Sequence, residues 1–222
     1  MNTLTSTIPA TTPQTRTTTS LLVAGAVAGP LWIAVSLAQA ATRTGFDITR
    51  HPLSVLSNGD LGWIQIANFL IAGVLTLVGA VGSRRTLAGG PAGTWAPILL
   101  AVQGAGLIVA GIFRLDPLDG FPPGTPPGVP TTMSGHSVAH NLAGTLTFAA
   151  MIAVCFVLAR LFRTTRRRGW AICGRVAGGV FAAGLVWAYT GRPAGALTLL
   201  LGVVIAWTWI TTSLTRITRT SR

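Results

Sequence analysis

Apolar residues fall in six long runs along the chain, at about 20–41, 62–82, 96–114, 137–161, 171–189 and 194–214. Each comes close to the roughly 20 residues that an α-helix needs to cross a hydrocarbon core about 30 Å thick. None alternates polar and apolar positions as the strands of a membrane barrel do. The pattern predicts an all-α polytopic membrane bundle of six transmembrane helices, with Pro30 set to kink the first. Ahead of it, residues 1–19 are Thr-rich, carry Pro9 and Pro13, and read as a disordered tail. No apolar stretch opens the chain as a signal peptide would. Residues 215–222 read as a basic C-terminal tail.

Composition agrees with the pattern. Charged residues make up 9% of the chain, against roughly 25% in a soluble domain. A net charge of +12 raises the question of nucleic acid. All the basic residues are arginine, however, and they sit between the apolar runs rather than on a solvated face interleaved with aromatics. Membrane lipids, not nucleic acid, are the expected partners. With six spans, one side carries Arg16, Arg84, Arg85, Arg160, Arg163, Arg166, Arg167, Arg168, Arg216, Arg219 and Arg222, with Arg175 close by. The other carries only Arg43, Arg50, Arg114 and Arg192. By the positive-inside rule both termini are expected in the cytoplasm of a bacterial cell, the chain lying in its plasma membrane.

The acids and histidines divide more sharply. Asp47, Asp60, Asp116, Asp119, His51, His136 and His140 all fall on the outer side of that arrangement, so any ionisable site belongs there. Within the spans, Gln65, Asn68, Gln103 and Asn141 are costly in lipid and are expected to pair across helices. No acid lies mid-span, which argues against a proton- or cation-coupled pump. "AGAVAG", "GAGLIVAG" and "GRVAGGVFAAG" carry small residues at helical spacing and read as close packing inside the bundle. Trp63, Trp95, Trp170 and Trp187 near the run ends read as an aromatic belt. Cys155 and Cys173 form no CxxC motif, so neither a zinc ribbon nor a disulfide framework is indicated.

The segments "RHPLSVLSNGDLGWIQIANFLIAGVL", "AGIFRLDP", "HSVAHNLAGTLTF" and "TGRPAGALTLLLGVVIAWTWI" occur in that order. With six spans, they resemble the bacterial and archaeal membrane proteins grouped as the DUF998 family, over nearly the whole chain from about residue 20. The resemblance implies a fold but no activity. More loosely, the polar set is similar to the CREST membrane hydrolases, seven-span proteins in which a Ser, an Asp and three His near one face imply zinc. This chain departs from them in having six spans and in placing its HxxxH at the start of span 4.

Two readings of the polar side follow. In the first, His51, Ser54, Asp116, His136 and His140 line an outer-facing pocket for a lipid, a small ligand or a partner. In the second, His136 and His140 share a helix face and bind zinc with His51 or Asp116 as third ligand. Ser54 and Asp116 then serve as candidate catalytic groups in hydrolysing a lipid-like amide or ester. A plainer reading has Asp60 and Ser134 capping spans 2 and 4, and Asp116 pairing with Arg114 or Arg50. "DPLDGFPPGTPPGVPTTMSG" is extended and irregular, a candidate lid.

Overall fold

A computed structural model describes residues 16–87 and 89–220. Six helices, each long and apolar enough to cross a membrane, make up the bundle: α1 (Arg16–Thr42), α2 (Gly62–Thr86), α3 (Gly90–Ile112), α4 (Gly135–Thr164), α5 (Arg168–Tyr189) and α6 (Gly195–Thr220). Among the described residues there is no β-strand. Consecutive helices pack side by side, and α1 returns against α6, so the six close into a ring. At one end the α1–α2 and α3–α4 connections fold into a cap, which includes a short 3-10 helix at Leu53–Ser57. Arginine-rich ends lie opposite. The reading of residues 1–19 as a disordered tail falls mostly outside the described residues, and α1 begins at Arg16.

Helices run past the apolar stretches that announced them. The 30 residues of α4 extend about 45 Å at 1.5 Å per residue, well beyond a hydrocarbon core of about 30 Å. The excess turns carry Arg163 and Arg219, which are exposed, and Arg216, whose guanidinium lies 4.8 Å from the centre of the Trp170 ring. Hydropathy measures the hydrocarbon, not the hydrogen-bonded helix.

Close packing uses the small residues within the chain. A Cβ placed on Gly25 would stand 2.6 Å from the Gly79 Cα, and one on Gly79 would stand 2.6 Å from the Gly25 Cα. Gly73 and Gly104 join α2 to α3 in the same way, each with its would-be Cβ 2.8 Å from the other's carbonyl oxygen. Lipid gives apolar side chains little reason to leave it for one another, so this backbone proximity supplies much of the association. On the arginine side of the core, Gly178 admits the Phe156 ring.

Between α1 and α2 lies a polar network. The Gln65 Oε1 accepts from Ser36 Oγ at 3.2 Å and from Gln39 Nε2 at 2.8 Å. Asn68 Nδ2 donates to the Trp32 carbonyl at 3.0 Å. Gln65 and Asn68 thus pair across helices as membrane residence demands. Gln103 does not: it is fully buried, and neither atom of its amide finds a partner among the described residues.

Ser134 caps α4 as its position suggests, its Oγ accepting from the Ser137 N–H at 3.1 Å. The cap expected of Asp60 does not form. Gly59 takes a left-handed turn at φ 71°, and its carbonyl accepts from the Gly62 N–H at 2.9 Å. Helix α2 therefore starts after Leu61, leaving Asp60 one residue too early. Trp63 and Trp95 lie exposed near helix ends, whereas Trp32, Trp207 and Trp209 are buried in the core.

Candidate functional site

Asp119 organises the cap. It accepts a two-pronged ion pair from Arg50, Nη2 to Oδ1 at 2.6 Å and Nε to Oδ2 at 2.9 Å. Its backbone carbonyl accepts from His51 Nε2 at 3.0 Å, and its Oδ1 accepts from the Gly128 N–H at 2.9 Å. One carboxylate thereby ties the α1–α2 connection to the proline-rich loop. His51 is buried between the rings of Phe46 and Phe121. Its Nδ1 accepts from the Asp47 N–H at 2.9 Å, which makes Nε2 the protonated nitrogen that donates to Asp119. Both ring nitrogens are engaged, so His51 offers no lone pair to a metal.

Asp116 pairs with neither Arg114 nor Arg50. It bonds instead to Ser134, accepting the hydroxyl at 2.6 Å on Oδ1 and the N–H at 2.8 Å on Oδ2. The reason is register: Asp116 meets the start of α4, whereas Asp119 meets Arg50. His136 is exposed at the rim, its ring 5.4 Å from that of Phe113. His140 lies one turn deeper and is 4% exposed. Four residues along a helix amount to about 6 Å of rise, enough to carry the second histidine below the end of α3 while the first stays above it. The two histidines share a face but not an environment. Among the described residues, no three His, Cys, Asp or Glu side chains come together where they could hold a metal ion.

His140 Nδ1 contacts the carbonyls of Ala110 at 2.9 Å and Phe113 at 2.8 Å. Carbonyls only accept, so Nδ1 carries the proton and the neutral ring keeps a lone pair on Nε2. The last turn of α3 has carbonyls with no helical partner, and His140 satisfies them.

Beside His140 a cleft of about 660 Å³ opens at the cap end. Its walls come from the cap (Arg50, Pro52, Ser54), from α4 (His140, Gly144, Phe148), from Tyr189 of α5 and from the α5–α6 turn with Arg192. Below it a smaller cavity of about 50 Å³ reaches between Trp32, Phe69, Leu107, Met151 and Trp207. Ser54, His140, Gly144 and Phe148 line both, so the two spaces meet at that level. The deeper space is almost wholly apolar. Of the expected site residues, the structure brings Ser54 and His140 to the cleft. His51, Asp116 and His136 lie in the cap or at the rim. Not foreseen were Arg192, Tyr189, Gly144 and Phe148. The signal for two of them was present: His140, Gly144 and Phe148 recur every four residues along one helix face.

Charge is arranged with equal economy. Hydrogen bonds from Arg50 and from the Gly128 N–H hold the Asp119 carboxyl below the usual carboxylate range. Thr49, through its hydroxyl and its N–H, does the same for Asp47. At Asp116 burial pushes upward, but hydrogen bonds from Ser134 and Ser137 outweigh it and leave the carboxyl below its ordinary value. A depressed folded pKa means that the stabilisation is present above the unfolded value of 3.8 and is lost as pH falls through the folded values beneath it. The part of the cap's stability that these carboxylates supply is therefore expected to persist through mild acid and to fade only below about pH 3.8. Hydrogen exchange at the Asp119 and Gly128 amides, corrected for intrinsic rates, checks this. Opening that began near pH 6 would assign the cap's stability to other groups.

Arg192 forms no ion pair among the described residues, and its guanidinium lies 5.4 Å from the centre of the Trp187 ring. It is the cation of the cleft left without an acid, since Arg50 is held by Asp119.

Comparison with curated proteins yields no match, and comparison with solved structures yields none. A family model described as "Protein of unknown function (DUF998)" matches residues 26–216, which takes in α2 to α5, most of α1 and α6, and the whole cap. With that match and its six apolar helices, the chain is a multi-pass integral membrane protein that belongs to the DUF998 family.

Proposed function

We propose that the cap-end cleft binds an amphiphile with an anionic head and an apolar body. The observation that carries this reading is the juxtaposition of Arg192, a cation without an acidic partner, with the apolar wall of Leu115, Leu118, Phe148, Leu185 and Leu199. A space of about 660 Å³ lies within the range of small-molecule sites, which are mostly apolar with a few placed polar groups. A soluble anion would leave those walls unused. A hydrocarbon would leave the arginine unused. The hydrolytic alternative needs a metal with converging ligands, and His51 and Asp116 are committed to the cap.

Gly144 provides the test. A Cβ built there meets nothing within 4 Å, and the residue lines both cavities, so Gly144→Leu puts its side chain into the cleft without displacing a neighbour. Binding of a fluorescent single-chain phosphatidylglycerol to the purified protein should fall more than about tenfold, a change of 1.4 kcal/mol or more. The thermal midpoint should stay within a degree or two. Undiminished binding in the folded variant sinks the proposal.

The arginine distribution supports placing the cleft on the extracytoplasmic face of a bacterial plasma membrane, with both termini in the cytoplasm. In a cysteine-free background, Thr131→Cys should react with an impermeant maleimide in whole cells and Thr165→Cys only after lysis. The reverse pattern inverts the orientation.

A further inference from the structure

Where the cleft narrows into the deeper cavity, two polar groups have no protein partner. His140 Nε2 is one: its Nδ1 is pinned to two carbonyls, and Nε2 is bonded to nothing yet not sealed from the cavity. The Ser54 hydroxyl is the other, also without a side-chain hydrogen bond and also not sealed. A lone pair on Nε2 asks for a donor. A carboxylate or a phosphate diester has none to give, and would set lone pair against lone pair in an apolar surround. An alcohol can donate to Nε2 and can accept from the Ser54 hydroxyl, and both residues line the junction of the two spaces. An ammonium also donates, but the acid that lines the cleft, Asp119, is already neutralised by Arg50, and Arg192 adds a like charge there.

Resting on the amphiphile reading above, we infer that the neck between Ser54 and His140 reads a hydroxyl, so that the ligand is a polyol phosphate ester bearing an acyl chain, the chemistry of a phosphatidylglycerol-type lipid. Arg192 takes the phosphate, His140 and Ser54 take the alcohol, and the apolar wall takes the chain. Displacing any water held at the neck then costs little, because the alcohol reproduces its hydrogen bonds.

The test compares lysolipids of one acyl chain that differ only in the head: phosphoglycerol, phosphomethanol and phosphoethanolamine, with free glycerol 3-phosphate as a chainless arm. Each competes against the fluorescent phosphatidylglycerol probe on wild type, His140→Ala and Ser54→Ala. Phosphoglycerol should bind about tenfold more tightly than phosphomethanol, the worth of one or two net hydrogen bonds. Ser54→Ala and His140→Ala should each narrow that gap by weakening phosphoglycerol alone, and Ser54→Ala keeps the comparison open if loss of His140 unsettles α3. Equal binding of phosphoglycerol and phosphomethanol overturns the hydroxyl reading while leaving the amphiphile pocket standing. Preference for phosphoethanolamine overturns it in favour of a cationic donor. Tight binding of glycerol 3-phosphate overturns the lipid and assigns a soluble ligand. If no arm competes and the probe itself does not bind, the pocket reading fails as well.

Discussion

Gly79→Leu is expected to destabilise the bundle by about 3 kcal/mol or more, the upper end of what overpacking costs. The Cβ alone would lie 2.6 Å from the Gly25 Cα, and what it meets is backbone, which has no rotamer to change. Helices α1 and α2 must then separate by roughly the thickness of a methyl group. Separation pulls apart the hydrogen bonds that join Ser36 and Gln39 to Gln65, leaving amides unpaired in a surround without water. Loss of packing and loss of polar pairing thus arise from one substitution. Titration of mixed micelles with SDS, followed by tryptophan fluorescence, reads the effect. Gly179→Leu is the control, because a Cβ there meets nothing within 4 Å, and its midpoint should not move. Equal midpoints for Gly79→Leu and Gly179→Leu would show that the α1–α2 approach contributes nothing to stability.

Arg43→Met should cost about 2–3 kcal/mol, the scale of hydrogen bonds made by a charged group to acceptors that are then left unmet. Its Nη1 donates to the Leu56 carbonyl at 2.7 Å and its Nη2 to the Asn58 carbonyl at 2.6 Å. The guanidinium also stands 5.0 Å from the centre of the Phe121 ring. Burial pulls its pKa down from the usual arginine value, with Asp60 opposing, yet the guanidinium stays charged at neutral pH. Arg43 thus clips the 3-10 helix, and with it Ser54, to the end of α1. Methionine keeps the apolar stem and drops the fork. Lysine should recover part of the loss at most, since an ammonium does not reach two carbonyls with a planar fork. Hydrogen exchange over residues 53–58 should rise before global unfolding. Unchanged exchange there would mean that the cap is held by Asp119 and Phe121 alone.

Much of the fold was legible because lipid imposes one strong rule. A run of apolar residues long enough to span has no state but a helix, so "GWIQIANFLIAGVLTLVGAVG" and its five counterparts declared themselves. Helix ends were less legible: α3 opens at Gly90, where Pro91 sits in the first turn, well ahead of the apolar run. The site was harder. His51 and His140 carry the same side chain, yet one is consumed by Asp47 and Asp119 and the other keeps a free nitrogen. That difference depends largely on backbone groups distant in the chain, those of Asp119, Ala110 and Phe113, and backbone groups are the same at every position of a sequence. Asp60 misled for a related reason, because the glycine beside it had already satisfied the amide it was meant to cap. Ser134, whose partner lies three residues away, was read correctly. Local chemistry is written locally, and the rest waits for the fold.

The closure of the ring sets an order of events in biosynthesis. The Thr211 hydroxyl donates to the Ala26 carbonyl across 185 residues, and the deeper cavity takes Trp32 from the first helix and Trp207 from the last. While the ribosome is still making α6, α1 already sits in the membrane with one flank uncovered. Until the final span arrives, the inner wall of the cavity is open to lipid. A nascent chain stalled after α5 therefore holds every acid and every histidine of the cap but lacks the wall against which a bound molecule would rest.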